Sequence, residues 1–173
     1  MSDPMSAQVT PAEEGDLGAL TDIYNHYVRE TAVTFDVTPL APEERRTWLL
    51  SHPEDGPHRL LVARDPALPG RLLGYATSSP FRPRAAYATS VETSIYLAAD
   101  AVGRGVGTLL YERLFAALAD EDVHRAYAAV TLPNEPSIRI HRRFGFRQVG
   151  VFGEVGRKFG VYHDVAWFEK RLN

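Results

Sequence analysis

The 173-residue chain has no cysteine and only two methionines and two tryptophans. Without cysteine there is no disulfide framework, no thiolate zinc site and no cysteine nucleophile. The same absence fits a reducing compartment, and the cytoplasm is the expected location. An excess of positive charge is also lacking. Lys and Arg number 19 against 22 Asp and Glu, a net charge of −3, whereas a general nucleic-acid binder would be basic. No apolar run approaches the ~20 residues that span a bilayer. The acidic start MSDPMSAQVTPAEEGD lacks the apolar stretch of a signal peptide. Neither nucleic acid nor membrane is therefore an expected partner, and nothing calls for a metal.

What is present is ordinary for a globular chain: 45% apolar and 24% charged residues. The length suits one domain that buries roughly 70% of its unfolded surface. Residues 1–7 read as a flexible tail and 8–173 as the domain. Gln8 to Thr10 is a short strand candidate. Leu17, Leu20, Tyr24, Tyr27 and Val28 recur at helical spacing, which predicts an amphipathic helix from about Asp16 to Glu30 with Asp16 as its cap. A short helix around Trp48–Leu50 and a loop from His52 to Pro57 follow. Arg59–Arg64 and Leu72–Ser78 read as a hairpin, and Tyr87–Leu97 as a long strand. Next come a glycine-rich turn, a helix carrying Leu109, Leu110, Leu114 and Leu118, and a strand from Arg125 to Leu132. A helix with Pro136 in its first turn ends near Gly145. Phe146–Phe152 and Val165–Phe168 are the last strand candidates. The order β-α-α-β-β-β-α-β-α-β-β, with one strand–helix–strand crossover, is α+β with a mixed sheet.

Gly103-Arg-Gly-Val-Gly107 falls between a strand and a helix. Glycines there let backbone N–H groups approach a phosphate, the helix dipole favours the anion, and Arg104 can add a charged contact. An ordinary glycine-rich turn would read the same way. A Walker loop would need a Lys before Thr108, and the spacing misses the dinucleotide fingerprint by one residue. After the following strand, Ser137 and His141 stand four apart on one helix face, and Asn134 lies at the helix start. Taken singly, Asn134 reads as a helix cap and His141 as a surface histidine.

Together these two segments resemble the acetyl-CoA site of the GNAT superfamily of N-acetyltransferases. Val102–Gly107 is similar to its pyrophosphate loop, with Val102 replacing the usual polar residue. Asn134, Ser137, His141, Gly145 and Phe146 match the Asn-x-x-Ser-x-x-x-Tyr/His-x-x-x-Gly-Phe half-site. Ile23–Tyr27, Pro80–Tyr87, Val91–Leu97 and Gly156–Val165 narrow the likeness to the phosphinothricin and methionine sulfone/sulfoximine acetyltransferase family, from about Val9 to Leu172. The resemblance implies a mostly antiparallel twisted sheet flanked by helices, acetyl-CoA as co-substrate and a homodimer. It implies that Glu92 is the general base, and that His141 stands where many members carry a tyrosine general acid. Backbone groups of Ile95, Tyr96 and Leu97 would meet the pantetheine arm. The Gly103, Arg104, Gly105, Val106, Gly107 and Thr108 segment would hold the pyrophosphate, with Asn134 and Ser137 completing the site. One of Arg139, Arg142, Arg143 and Arg147 would meet the 3′-phosphate, while His163 and Asp164 are given a structural role.

Substrate recognition is expected from Arg82, Arg84 and Tyr87, with Phe35 as an apolar wall. Arg82 and Arg84 are two apart around Pro83, so in an extended segment both point the same way and form an anion clamp. The expected activity is transfer of acetyl to the amine of a small amino-acid-like molecule, by direct attack on the thioester. The alternatives are a related enzyme for another amine, such as a polyamine or a protein N-terminus, and a non-catalytic CoA- or nucleotide-binding module. The last has no need of Glu92 and His141 together.

Overall fold

Alternation along the strands decides which helices cover each side of the sheet. The computed structural model describes residues 7–173, so the proposed tail lies outside the described residues except for Ala7, which packs against the core. In β2 (Leu60–Arg64), Leu60 and Val62 pack with Leu17, Leu20 and Ile23 of α1 (Leu17–Glu30) and Leu49 of α2 (Arg46–Leu50). Leu61 and Ala63 turn the other way and meet Leu110, Leu114 and Leu118 of α3 (Val106–Leu118). Period-two alternation in the strand against 3.6-residue spacing in the helices produces this two-sided core.

The sheet has seven strands in the order β1-β2-β3-β4-β5-β7-β6. β1 is Gln8–Pro11, β3 Leu72–Pro80, β4 Ser90–Leu97 and β5 Arg125–Thr131. β6 is Arg147–Lys158 and β7 Val161–Arg171, with α4 (Glu135–Arg143) between β5 and β6. Only β4 and β5 run parallel. They are joined by α3, because a parallel pair needs a long crossover. Element order and sheet class agree with the sequence reading.

Three details differ from expectation. The helix starts at Leu17, and Asp16 makes no capping bond to it. Asp16 instead takes both Nη groups of Arg64, at 2.8 and 2.7 Å, and the Glu13 N–H at 2.8 Å. The long strand begins at Ser90, since Ala85–Tyr87 form a 3-10 turn. The last two strands are much longer than their apolar stretches. Gly150, Gly153 and Glu154 interrupt the alternation, and the register shifts there. The hairpin closes at Phe159 and Gly160, both at positive φ (54° and 74°), as a tight two-residue turn requires.

The Asp16–Arg64 pair ties the entry to α1 to the edge of β2. Burial works against the Asp16 charge, but the Arg64 guanidinium and the Glu13 N–H outweigh it and hold the carboxyl below its usual range. A depressed carboxylate adds stability above its unfolded pKa and loses it as pH falls through the folded value. Asp16→Asn should lower unfolding free energy in urea by about 1–3 kcal/mol at pH 7, the range for charge-assisted bonds. The gap between the two proteins should close as pH drops below 3.8.

Candidate active site

β4 and β5 pair only where Ser90–Glu92 face Arg125–Tyr127. Beyond Glu92 the strands part. The Ala98 N–H donates to the Leu73 carbonyl at 2.9 Å, which sets the phase of the β3–β4 ladder. By alternation, the N–H groups of Ser94 and Tyr96 turn toward β3, while those of Ile95 and Leu97 turn into the gap. The Tyr27 hydroxyl donates to the Leu97 carbonyl at 2.6 Å. Two backbone donors thus face a cleft with no strand opposite them.

One side of the gap opens into a groove of about 650 Å³ lined by Ile95, Leu97, Gly103, Gly105, Gly107 and Thr108, and by Asn134 and Ser137 across from them. Gly103 and Gly105 adopt φ of 77° and 80°, a region that glycine enters freely. Gly105 is the N-terminal residue flanking α3 and brings no side-chain cap. The first helix N–H groups therefore remain available to an anion. Gly107 is buried, and a Cβ there would sit 3.2 Å from Ile140 Cδ1 and 3.4 Å from Ile95 Cδ1. Val106 points into the core, so its contribution to the groove is backbone. Arg104 is half-buried and does not line the groove, whereas Arg139 and Arg143 do. The Asn134 carbonyl oxygen accepts the Ser137 N–H at 3.2 Å, so Asn134 caps α4 at the groove wall. A long ligand with phosphates at one end and an apolar, amide-bearing arm at the other fits this donor set.

His141 lies beneath, 3% exposed, where a second small cavity meets Asn134 and Ser137. Its Nδ1 is 2.7 Å from the Ser137 carbonyl and its Nε2 is 2.9 Å from the Tyr111 hydroxyl. A carbonyl only accepts, so Nδ1 carries the proton and Nε2 receives the Tyr111 O–H. Burial also pushes the imidazole pKa down. This favours the neutral ring, with its Nδ1–H directed at the Ser137 carbonyl. His141 thus sits on the wall of the small cavity beside β4, hydrogen-bonded on both ring nitrogens. Fully buried Tyr111 was not foreseen, because its spacing on α3 is that of any core residue.

On the opposite face of β4, Glu92, Ser94 and Tyr96 line a cavity of about 330 Å³ with Tyr24, Asp36 and Arg45. Burial raises the Glu92 pKa, partly offset by the positive charge of Arg82. Asp36 accepts the Tyr24 hydroxyl, and burial beside this carboxylate pushes the phenol up to about 12. Of the expected substrate grips, only Arg82 is near Glu92 electrostatically. Its guanidinium lies 4.4 Å over the Phe81 ring and donates to the Phe81 carbonyl at 2.8 Å. Arg84 precedes the 3-10 turn, and it and Tyr87 are exposed outside the cavity. Arg82 and Arg84 both precede that turn, Arg84 in an extended conformation, and neither lines the cavity. Phe35 does not line it either. It packs over Gly156 of β6 and faces His163 at 6.2 Å between ring centres. Buried Lys158 clamps this neighbourhood by donating to the Thr34 carbonyl at 2.8 Å. Arg45, Trp48 and Tyr75 are cavity residues that sequence reasoning missed. Arg45 and Trp48, three apart, were the visible trace, but they read as one turn of a short amphipathic helix.

Residues 20–146 match the acetyltransferase (GNAT) family, and the chain belongs to it. It is 66% identical over 165 residues to a phosphinothricin N-acetyltransferase of Streptomyces coelicolor, covering 95% of this chain and 96% of that protein. It is 34% identical to an L-methionine sulfoximine/L-methionine sulfone acetyltransferase of Pseudomonas aeruginosa, covering 98% of this chain and 96% of that one. Its fold superposes on a phosphinothricin acetyltransferase of Sinorhizobium meliloti solved with acetyl-CoA. The TM-score is 0.91 at 31% identity, covering 98% of this chain and 90% of that one.

Phe35 on Gly156 gives a steric test. A Cβ at residue 156 would fall 2.2 Å from Phe35 Cε2. Gly156→Ala should destabilise by about 1–3 kcal/mol, as overpacking does. Adding Phe35→Ala should recover most of that loss in thermal or urea melts.

Proposed function

We propose that the chain transfers the acetyl group of acetyl-CoA to the amine of a small amino-acid-like molecule of the phosphinothricin or methionine sulfone type. The observation that carries this is the position of β4. One face of the strand presents Glu92 to an open cavity of mixed polar and aromatic lining, and the other lines a groove ending at a glycine-rich helix start. The names of the relatives support the substrate class, and the S. meliloti complex supports acetyl-CoA as the groove's ligand.

Acetyl-CoA supplies an activated acyl thioester when bound. Gly103, Gly105, Gly107 and the start of α3 receive its phosphates, with Thr108, Asn134 and Ser137 along the arm. Leu97 N–H, free of the ladder, hydrogen-bonds the oxygen that gains negative charge as the amine attacks; when that charge collapses the C–S bond breaks, and CoA leaves as its thiolate and takes a proton from water. Glu92 is the base. An α-amino group has pKa near 8, so most of it must lose a proton before it can attack. A carboxylate raised by burial accepts that proton more readily than an ordinary one. Arg82 sits beside Glu92 and meets the substrate's α-carboxylate, with Arg84 and Tyr87 on the same loop. His141 and Tyr111 hold the α4 wall in place.

A second copy of the chain is part of this proposal. Val151, Phe152, Val155, Val161 and Tyr162 of the last hairpin are 45–58% exposed, an apolar surface suited to a partner. Val165 of the same hairpin is core and Trp167 is half-buried. Sedimentation should give a dimer, and Val155→Lys with Tyr162→Lys should give monomers.

Thiol release from acetyl-CoA with a panel of amino acids and polyamines tests the activity directly. Turnover of polyamines alone would sink the substrate class. Saturating acetyl-CoA at 100 times its dissociation constant should stabilise the fold by about 2.7 kcal/mol without any amine. No thermal shift would remove the groove assignment.

Glu92→Gln should cut turnover ~10²–10⁴-fold, the usual value of a general base, and leave acetyl-CoA binding intact. The defect should shrink at alkaline pH, where the amine is already neutral. The wild-type acid limb should report a pKa above 4.5. His141→Phe should cost less turnover than Glu92→Gln, and should lower the melting temperature.

A further inference from the structure

Arg45 is 6% exposed and lines the Glu92 cavity. Buried charges are normally paired. Among the described residues, Arg45 has no carboxylate within 4.0 Å, although five other arginines do. Asp36 and Glu44 share the cavity but are engaged elsewhere. Asp36 accepts the Tyr24 hydroxyl, and Glu44 accepts the Ala41 N–H at 2.6 Å.

The guanidinium is held rigidly all the same. It lies 3.9 Å from the Trp48 ring centre and 4.4 Å from that of Tyr24, both cation–π distances. It donates to the Leu20 carbonyl at 3.1 Å and to the Tyr75 hydroxyl at 3.5 Å. A guanidinium has five N–H donors, so three have no protein partner among the described residues. A fixed, desolvated cation with unused donors on a cavity wall is an anion receptor by its chemistry.

Its place along the sheet identifies which group it meets. Tyr75 pairs with Tyr96 on β4, four residues beyond Glu92. Glu92 pairs at the Ser79 level while Arg45 reaches the Tyr75 hydroxyl, so the carboxylate and the guanidinium enter the same cavity from different levels of the sheet. An amine at Glu92 keeps its α-carboxylate beside Arg82, two bonds away. What reaches Arg45 is the far end of the side chain.

We propose that Arg45 is a specificity-determining residue whose guanidinium binds the oxygens at the distal end of the substrate, a phosphinate or a sulfonyl group. This rests on the amino-acid reading of the cavity given above. It assigns the discrimination between oxidised or anionic side chains and plain apolar ones to a residue outside the Arg82–Arg84 loop.

L-methionine sulfone and L-methionine differ only in two oxygens at that end. In wild type, kcat/KM should favour the sulfone and L-phosphinothricin over methionine. In Arg45→Met the sulfone-to-methionine ratio should fall at least 10-fold, through KM, with the KM of acetyl-CoA unchanged. Arg45→Lys should recover part of the phosphinothricin rate, because charge is restored without the planar fork. Equal losses for methionine and its sulfone would overturn the proposal, since Arg45 would then serve the α-carboxylate or packing. Should Arg45→Met fold poorly, Arg45→Lys alone still reads the ratio.

A second measurement needs no turnover. Trp48 reports on its neighbour, so methylphosphinate should quench tryptophan fluorescence saturably in wild type and not in Arg45→Met. Absent or identical quenching in the two proteins would overturn the proposal. If no amino acid is acetylated but quenching depends on Arg45, the substrate reading fails while the anion site stands.

Discussion

Everything at the site depends on β4 and β5 pairing for three residues and then separating. A fully paired β4 would spend the Ile95 and Leu97 donors on its neighbour and leave no cleft. Because the strands part after Glu92, one strand supplies a carboxylate to one side, a wall to the other and hydrogen-bond donors between them. α3 and α4 start on either side of the same gap, so two helix beginnings converge on the groove. The separation is held open from above by Tyr27, whose hydroxyl takes the Leu97 carbonyl.

Charge is distributed according to which side of β4 a group occupies. The groove has backbone donors, a helix N-terminus and Arg139 and Arg143 on its rim, all suited to phosphates. The opposite cavity mixes Glu92, Asp36 and Glu44 with one buried guanidinium, which suits a zwitterion. A cavity holding only acids would favour polyamines, and one holding only cations would repel an ammonium.

The glycine loop was visible from its place between strand and helix, whereas Asn134, Ser137 and Glu92 stood out only through the family resemblance; the structure brings Asn134 and Ser137 to the groove and Glu92 to the cavity on the other face. A turn between strand and helix needs glycine at set places, and a strand carboxylate keeps its face whatever surrounds it. Element order was legible for the same reason. The Arg82–Arg84 pair was read from local geometry alone, and the structure leaves both side chains exposed and off the lining of the Glu92 cavity. His141 looked exposed because its partner, Tyr111, is 30 residues away. Arg45 stayed hidden because a charged residue before a short helix usually faces water. Only the aromatic rings of Tyr24 and Trp48, brought from separate elements, reveal that it does not. The long β6–β7 hairpin escaped notice because its glycines interrupt the apolar pattern while still pairing.

Lys158 has a consequence for the order in which the molecule becomes competent. Its ammonium reaches the carbonyl of Thr34, 124 residues earlier in the chain. The Val33–Asp36 segment, which carries a wall of each cavity, is therefore fastened by a hairpin far along the chain. Before that hairpin docks, the first helix can form and the sheet can begin, with the loop over the site held on one side only, by Tyr24 at Thr34 and Asp36. The walls of both cavities are thus joined across the chain, and they are complete only when the β6–β7 hairpin has docked on the Val33–Asp36 loop.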